Sequence, residues 1–187
     1  MNFIQHSELE GMHAFLSASS YSWINYDDEK LREVYLNHIA TLRGTEKHDL
    51  ARRLIENRIT LPNTNDTFNR YVNDAIRFKM KPEVVLFYSR NCYGTTDAIF
   101  FDEKKNFLRI HDLKTGQTVA KMDQLEIYTA LFCLEYEKDI SKIQVELRIY
   151  QSEKVKCRIP DPRKIKMIQG KIIAFDKIIN KILEEEK

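Results

Sequence analysis

A chain of 187 residues with 43% apolar and 31% charged side chains suits one folded domain and excludes a disordered or low-complexity protein, since it has only five glycines and four prolines. A formal charge of +2 gives no broad basic field, so a nucleic-acid partner would have to be held by a local patch. No run of about 18 apolar residues is present and MNFIQHSELEGMH lacks the core of a secretion signal, so the expectation is a soluble cytoplasmic protein without membrane contact.

Along the chain, SASSYSWINY reads as a cap region with an aromatic cluster. Leu31, Val34, Tyr35, His38, Ile39 and Leu42 have helical spacing over about 29–42. Gly44-Thr45 is expected to break that helix. Thr45 would cap a second one over about 46–57, with Leu50, Ala51, Leu54 and Ile55 inward. A third helix is expected from Asp66 to Lys79. After Pro82 the texture turns β-rich: Val84–Ser89, Thr96–Phe101 and Phe107–Leu113 predict a three-stranded meander. A helix over Lys121–Glu137, strands over Ile143–Gln151 and Val155–Ile159, and a C-terminal helix opened by Pro160-Asp161-Pro162 follow. That last helix is expected to turn Ile165, Ile168, Ile172, Phe175, Ile179 and Ile182 inward. The order predicts an α/β fold with a central mixed β-sheet flanked by helices. As one domain over 1–187, it comprises a helical part to about 80, a sheet core over about 82–160, and a helix over about 161–187.

The chemistry concentrates in GTTDAIFFDEKKNFLRIHDLKTG, residues 94–116. Asp97 near the start of one strand and Asp112 near the end of the next converge if the strands form an antiparallel hairpin. Two carboxylates so close repel unless a cation or a proton lies between them; at neutral pH a divalent metal is the expected solution, and hard oxygen donors select Mg²⁺ or Mn²⁺. Alternation puts Lys114 on the face of Asp112 and Leu113 on the other, leaving the Leu113 carbonyl as a further metal oxygen. A lysine beside such an ion positions the attacking water or stabilises charge on a phosphate. His111 alternates away and His38 belongs to an apolar stripe, so both are expected in the core. Gln124 and Tyr128 share a helix face, where the glutamine needs a polar partner. Cys92, Cys133 and Cys157 form no CxxC pair and suggest neither zinc nor a disulfide framework.

Asp97 with Asp112-Leu113-Lys114 resembles the catalytic motif of the PD-(D/E)XK nuclease superfamily. Gly44-Thr45-Glu46-Lys47-His48 resembles the GxxxH motif of its RecB-like branch, and Gln124 to Tyr128 resembles that branch's QxxxY motif. The resemblance implies a restriction-endonuclease-like core and a metal site of His48, Asp97, Asp112 and the Leu113 carbonyl. It implies catalysis by Asp97, Asp112 and Lys114, and substrate contacts from Thr115, Gln124 and Tyr128. The implied activity is that of a Mg²⁺- or Mn²⁺-dependent DNA exonuclease of recombination, repair or phage DNA processing. It would act in a bacterial or phage-infected cytoplasm beside a recombinase, annealing protein or helicase. Three scattered cysteines cannot hold the iron–sulfur cluster of some relatives. A structure-specific endonuclease and a non-catalytic nucleic-acid-binding or regulatory module on the same fold are the alternatives, and the oligomeric state is open.

Overall fold

The computed structural model describes Ser7, residues 14–116 and residues 118–186; the expectation for the segment 1–13 lies outside these. The chain divides into two compact units, 1–43 and 44–187. In the first unit Ser17 caps a 3-10 turn, Ala18–Asn25, by accepting from Ser20 N–H, and Trp23 Nε1 donates to the Ser17 carbonyl at 2.8 Å. An aromatic cluster does form, but from Phe15, Tyr35 and His38, none of which lies in SASSYSWINY, where Tyr21 is exposed. His38 is exposed, and so are Leu31, Tyr35 and Leu42. The expected inward stripe of this helix is therefore mostly solvated.

Helix α1 spans Asp28–Glu56, so the break expected at Gly44-Thr45 is absent. Gly44 is a buried helical residue whose missing side chain leaves room for Thr115: a Cβ there would lie 2.8 Å from Thr115 Oγ1. A glycine that reads as punctuation is a close-approach position instead. Ala51 and Ile55 are buried as expected, whereas Leu50 is exposed.

In the second unit, α2 (Thr67–Arg77) starts at Asp66, whose carboxylate accepts from the Phe68 and Asn69 N–H groups. Strands β1 (Lys81–Ser89), β2 (Cys92–Asp102) and β3 (Phe107–Leu113) form the antiparallel meander. Helix α3 (Asp123–Glu135) connects β3 to β4 (Gln144–Gln151), which lies parallel to β3, and β5 (Lys154–Arg158) pairs antiparallel with β4. The sheet order is β1-β2-β3-β4-β5, a mixed sheet that is common to many α/β folds. Helix α4 (Pro162–Glu185) follows the Asp161 cap.

Side-chain alternation sorts the strands' apolar residues into two cores. On one face Leu86, Ile99, Leu108, Ile110, Leu147 and Ile149 pack against α3 and Ile165 of α4. On the other, Ala98, Leu113 and Tyr150 pack against Ala51 and Ile55 of α1 and Tyr71, Val72 and Ala75 of α2. The α4 stripe is only partly inward. Ile165 is buried and Ile168 and Ile172 flank the core, but Phe175, Ile179 and Ile182 are exposed. Among the described residues no helix is long and apolar enough to cross a membrane.

Candidate active site

Strand register assembles the acidic centre. The β2–β3 ladder ends on Ala98 opposite His111, so one step beyond it Asp97 faces Asp112. On the other side Pro82 pairs with Ala98 and Val84 with Thr96, which sets Glu83 opposite Asp97. Asp97 thus sits mid-strand between two acidic neighbours, not near a strand start as the sequence suggested, because β2 begins at Cys92.

Each carboxylate has a distinct surrounding. Asp97 Oδ2 accepts the Leu113 N–H at 2.7 Å and lies 3.5 Å from His48 Nδ1. Burial first, and the Asp112 charge second, push its carboxyl up to about 6. Asp112 is 1% exposed. Its Oδ1 lies 3.1 Å from Lys114 Nζ, while its buried Oδ2 has no partner among the described residues. Burial raises the Asp112 carboxyl and the Lys114 charge pulls it back. A buried carboxylate oxygen left unpaired is costly, and a cation, a proton or a water would satisfy it.

The ammonium of Lys114 is held from the other side as well. It donates to Gln124 Oε1 at 2.7 Å, and Gln124 Nε2 donates to Tyr128 Oη at 3.1 Å. The polar partner that Gln124 needed on its helix face is therefore the lysine itself. Burial raises the Tyr128 phenol, which keeps it a proton donor at neutral pH.

Glycines lock these pieces together. Gly44, four residues before His48, receives Thr115. Gly94, three residues before Asp97, receives Tyr128: a Cβ there would lie 2.9 Å from Tyr128 Cε1. The sequence motifs thus meet at one place, through His48 with Asp97, Gly44 with Thr115 and Gly94 with Tyr128, and Lys114 with Gln124. Leu113 itself is buried in the opposite core, and Thr115 is exposed at the start of the following loop.

Two contributors were missed from sequence. Glu83 has φ 50°, a left-handed conformation that costs a non-glycine residue roughly 1–2 kcal/mol, and such strain clusters at functional sites. Ligand atoms of His48, Glu83 and Asp97 lie within 4.8 Å of one another, a spacing that suits a shared metal ion. An isolated glutamate after Pro82 was the available signal; its backbone twist was not readable. Gln151 is the second. Its side chain donates to the Gly116 and Thr118 carbonyls at 2.7 and 2.8 Å and accepts from Ala120 N–H at 2.9 Å. It fixes the loop that carries Thr115 away from Lys114.

The bland expectations have their own places. His111 is fully buried on the α2 side, with Nδ1 3.3 Å from Tyr150 Oη, and burial together with Arg148 and Arg109 lowers its pKa well below the ordinary range. Arg52 and Arg53 are tied to Asp49 and Glu56 on their own helix. A polar cleft of about 260 Å³ lies beside the site, lined by Lys47, Asp66, Thr67, Lys114 and Thr115 among others. No family model, curated protein or solved structure matches the chain.

Proposed function

We propose that the chain is a Mg²⁺- or Mn²⁺-dependent deoxyribonuclease that hydrolyses phosphodiester bonds, acting as an exonuclease. One observation carries this reading: the half-buried Asp97 lies beside the buried Asp112 of the adjacent strand, an Asp112 oxygen has no hydrogen-bond partner among the described residues, and Lys114 is held between Asp112 and Gln124. The donor set fits a hard divalent cation. His48, Glu83 and Asp97, whose ligand atoms lie within 4.8 Å of one another, would hold such an ion, with Asp112 and the Leu113 carbonyl as further oxygen donors. Such an ion supplies Lewis acidity toward a phosphoryl oxygen and activation of the attacking water.

The chain's own residues do the positioning. Of the three N–H donors on Lys114, Asp112 and Gln124 occupy two, which leaves one for the incoming water or a non-bridging phosphate oxygen. Water adds to phosphorus, the bridging ester oxygen leaves with a proton, and the lysine charge stabilises the negative charge that builds between. Tyr128 accepts from Gln124, so its own hydroxyl proton is free to reach a phosphate. The meeting of these motifs supports the RecB-like PD-(D/E)XK resemblance and its restriction-endonuclease-like core. With that resemblance come DNA as substrate, a recombinase, annealing protein or helicase as partner, and a bacterial or phage-infected cytoplasm as the place of action.

End-labelled linear DNA and circular DNA, each with and without chelator, test this. Cleavage of linear DNA only, in Mg²⁺ or Mn²⁺ and lost both with chelator and in Asp112→Ala, is the expected result. Cutting of circles would make it an endonuclease. No cleavage of any DNA form in either metal would favour the non-catalytic module.

A further inference from the structure

Helix α4 is anchored along one side only. Ile165 is buried, Ile168 and Ile172 flank the core, and Asp176 accepts from Ser89 Oγ and Asn91 Nδ2 at 2.6 and 2.8 Å. Asn91 Nδ2 also donates to Asn180 Oδ1 at 2.9 Å. Beyond that anchored side the helix exposes Met167 by 52%, Phe175 by 58%, Ile178 by 54% and Ile182 by 51%. With 3.6 residues per turn, Met167, Lys171, Phe175, Ile178, Ile182 and Glu185 share one face. This face borders an open groove of about 470 Å³, whose other wall includes Ile127 of α3 and Cys92. Scattered apolar residues on a surface are ordinary, but a continuous stripe along a helix marks an interaction face.

The charges along this face are complementary to the face itself when it is reversed. Lys171 has no ion-pair partner among the described residues. Glu185 has only Lys181 of its own helix, at 3.6 Å. Glu184, Glu185 and Glu186 end the helix where its dipole already concentrates negative charge. If two copies of α4 run antiparallel about a two-fold axis near Ile178 and Ile179, Phe175 of each meets Ile182 of the other. The same register sets Lys171 against Glu185 and Glu186 of the other copy, and brings the Ile178 side chains together near the axis. This arrangement covers Phe175, Ile178 and Ile182 and answers the unpaired lysine and the acidic helix end, each twice over by symmetry.

We infer that the exposed α4 face is a self-association surface, on which a second copy of this chain docks its own α4 antiparallel to form a two-fold dimer. Sedimentation equilibrium of the full chain, from micromolar to millimolar concentration, tests it. A reversible dimer is expected. Ile178→Asp, exposed in the single chain and harmless to its core, should give a monomer whose circular dichroism and melting match the parent. Lys171→Glu should weaken the dimer roughly tenfold, the scale of two exposed ion pairs. Combining Lys171→Glu with Glu185→Lys and Glu186→Lys should restore it. A parent that stays monomeric, a dimer that survives Ile178→Asp, or a charge exchange that restores nothing overturns the inference. These readouts are independent of DNA cleavage.

Discussion

Replacing Asp97 by Asn separates the electrostatics of the site from its packing. The carboxyl is pushed up from 3.8 to about 6 by burial and by Asp112, a difference of about two units. At 1.36 kcal/mol per unit, its ionisation destabilises the metal-free fold by about 3 kcal/mol once both states are charged. The folded pKa is the higher one, so the folded state binds the proton more tightly between about pH 4 and about pH 6. The stability this represents is fully present below the unfolded pKa and is lost as pH rises through the folded one. An asparagine keeps an oxygen for the Leu113 N–H but carries no charge. Asp97→Asn should therefore raise the stability of the chelated protein by about 3 kcal/mol near pH 8 and hardly change it near pH 4. For a chain of this size that is about 6–12 °C in melting temperature. Thermal melts at both pH values, in chelator and in Mn²⁺, read it out. Mn²⁺ should stabilise the parent, by about 2.7 kcal/mol at a hundredfold excess over Kd, and leave the variant unmoved. A variant less stable than the parent near pH 8 in chelator would refute the reasoning, as would an equal Mn²⁺ effect on both proteins.

Lys114→Met keeps the length of the side chain but removes the cation between Asp112 and Gln124. Single-turnover cleavage should slow by about 10²–10³-fold, the usual cost of losing one charge-stabilising donor, with little change in DNA affinity by anisotropy. Glu83→Gly should stabilise the metal-free protein by about 1 kcal/mol in urea melts through relief of the left-handed backbone. The same change should weaken Mn²⁺ binding measured by calorimetry, whereas Glu83→Gln should weaken binding without the stability gain. Gly44→Leu drives a side chain into the space of Thr115, so cleavage should fall while circular dichroism still reports a folded helix.

The five strands and the antiparallel meander were legible because apolar runs bounded by turn residues mark them, whereas the parallel pairing of β3 with β4 was not. Asp102 confirms one such boundary by accepting from the Lys104 and Lys105 N–H groups. Local pattern failed where tertiary contact decides. Gly44 looks like a helix stop, yet a neighbour that no local window contains, Thr115, makes glycine the residue for a packed helix. Cys92 to Thr95 carry no clean alternation, so the first half of β2 was invisible until β1 paired with it, and Asp97 appeared nearer an edge than it is. In α4 the spacing of Phe175, Ile179 and Ile182 is as regular as that of Ile165 and Ile168. Periodicity reports which residues share a face, but it does not say what covers that face. Within the site, Asp97, Asp112 and Lys114 could be read from strand alternation, and His48, Gln124 and Tyr128 from motif resemblance. Glu83 depended on a backbone conformation and Gln151 on a loop that folds back onto it.

A crystal structure grown with Mn²⁺, with anomalous scattering measured above the manganese edge, tests the proposed metal centre. An anomalous peak is expected about 2.0–2.3 Å from carboxylate oxygens of both Asp97 and Asp112, with the formerly unpaired Asp112 Oδ2 among its ligands. A protein saturated with Mn²⁺ that shows no peak there, or binds the ion elsewhere and leaves both carboxylates unligated, would contradict it.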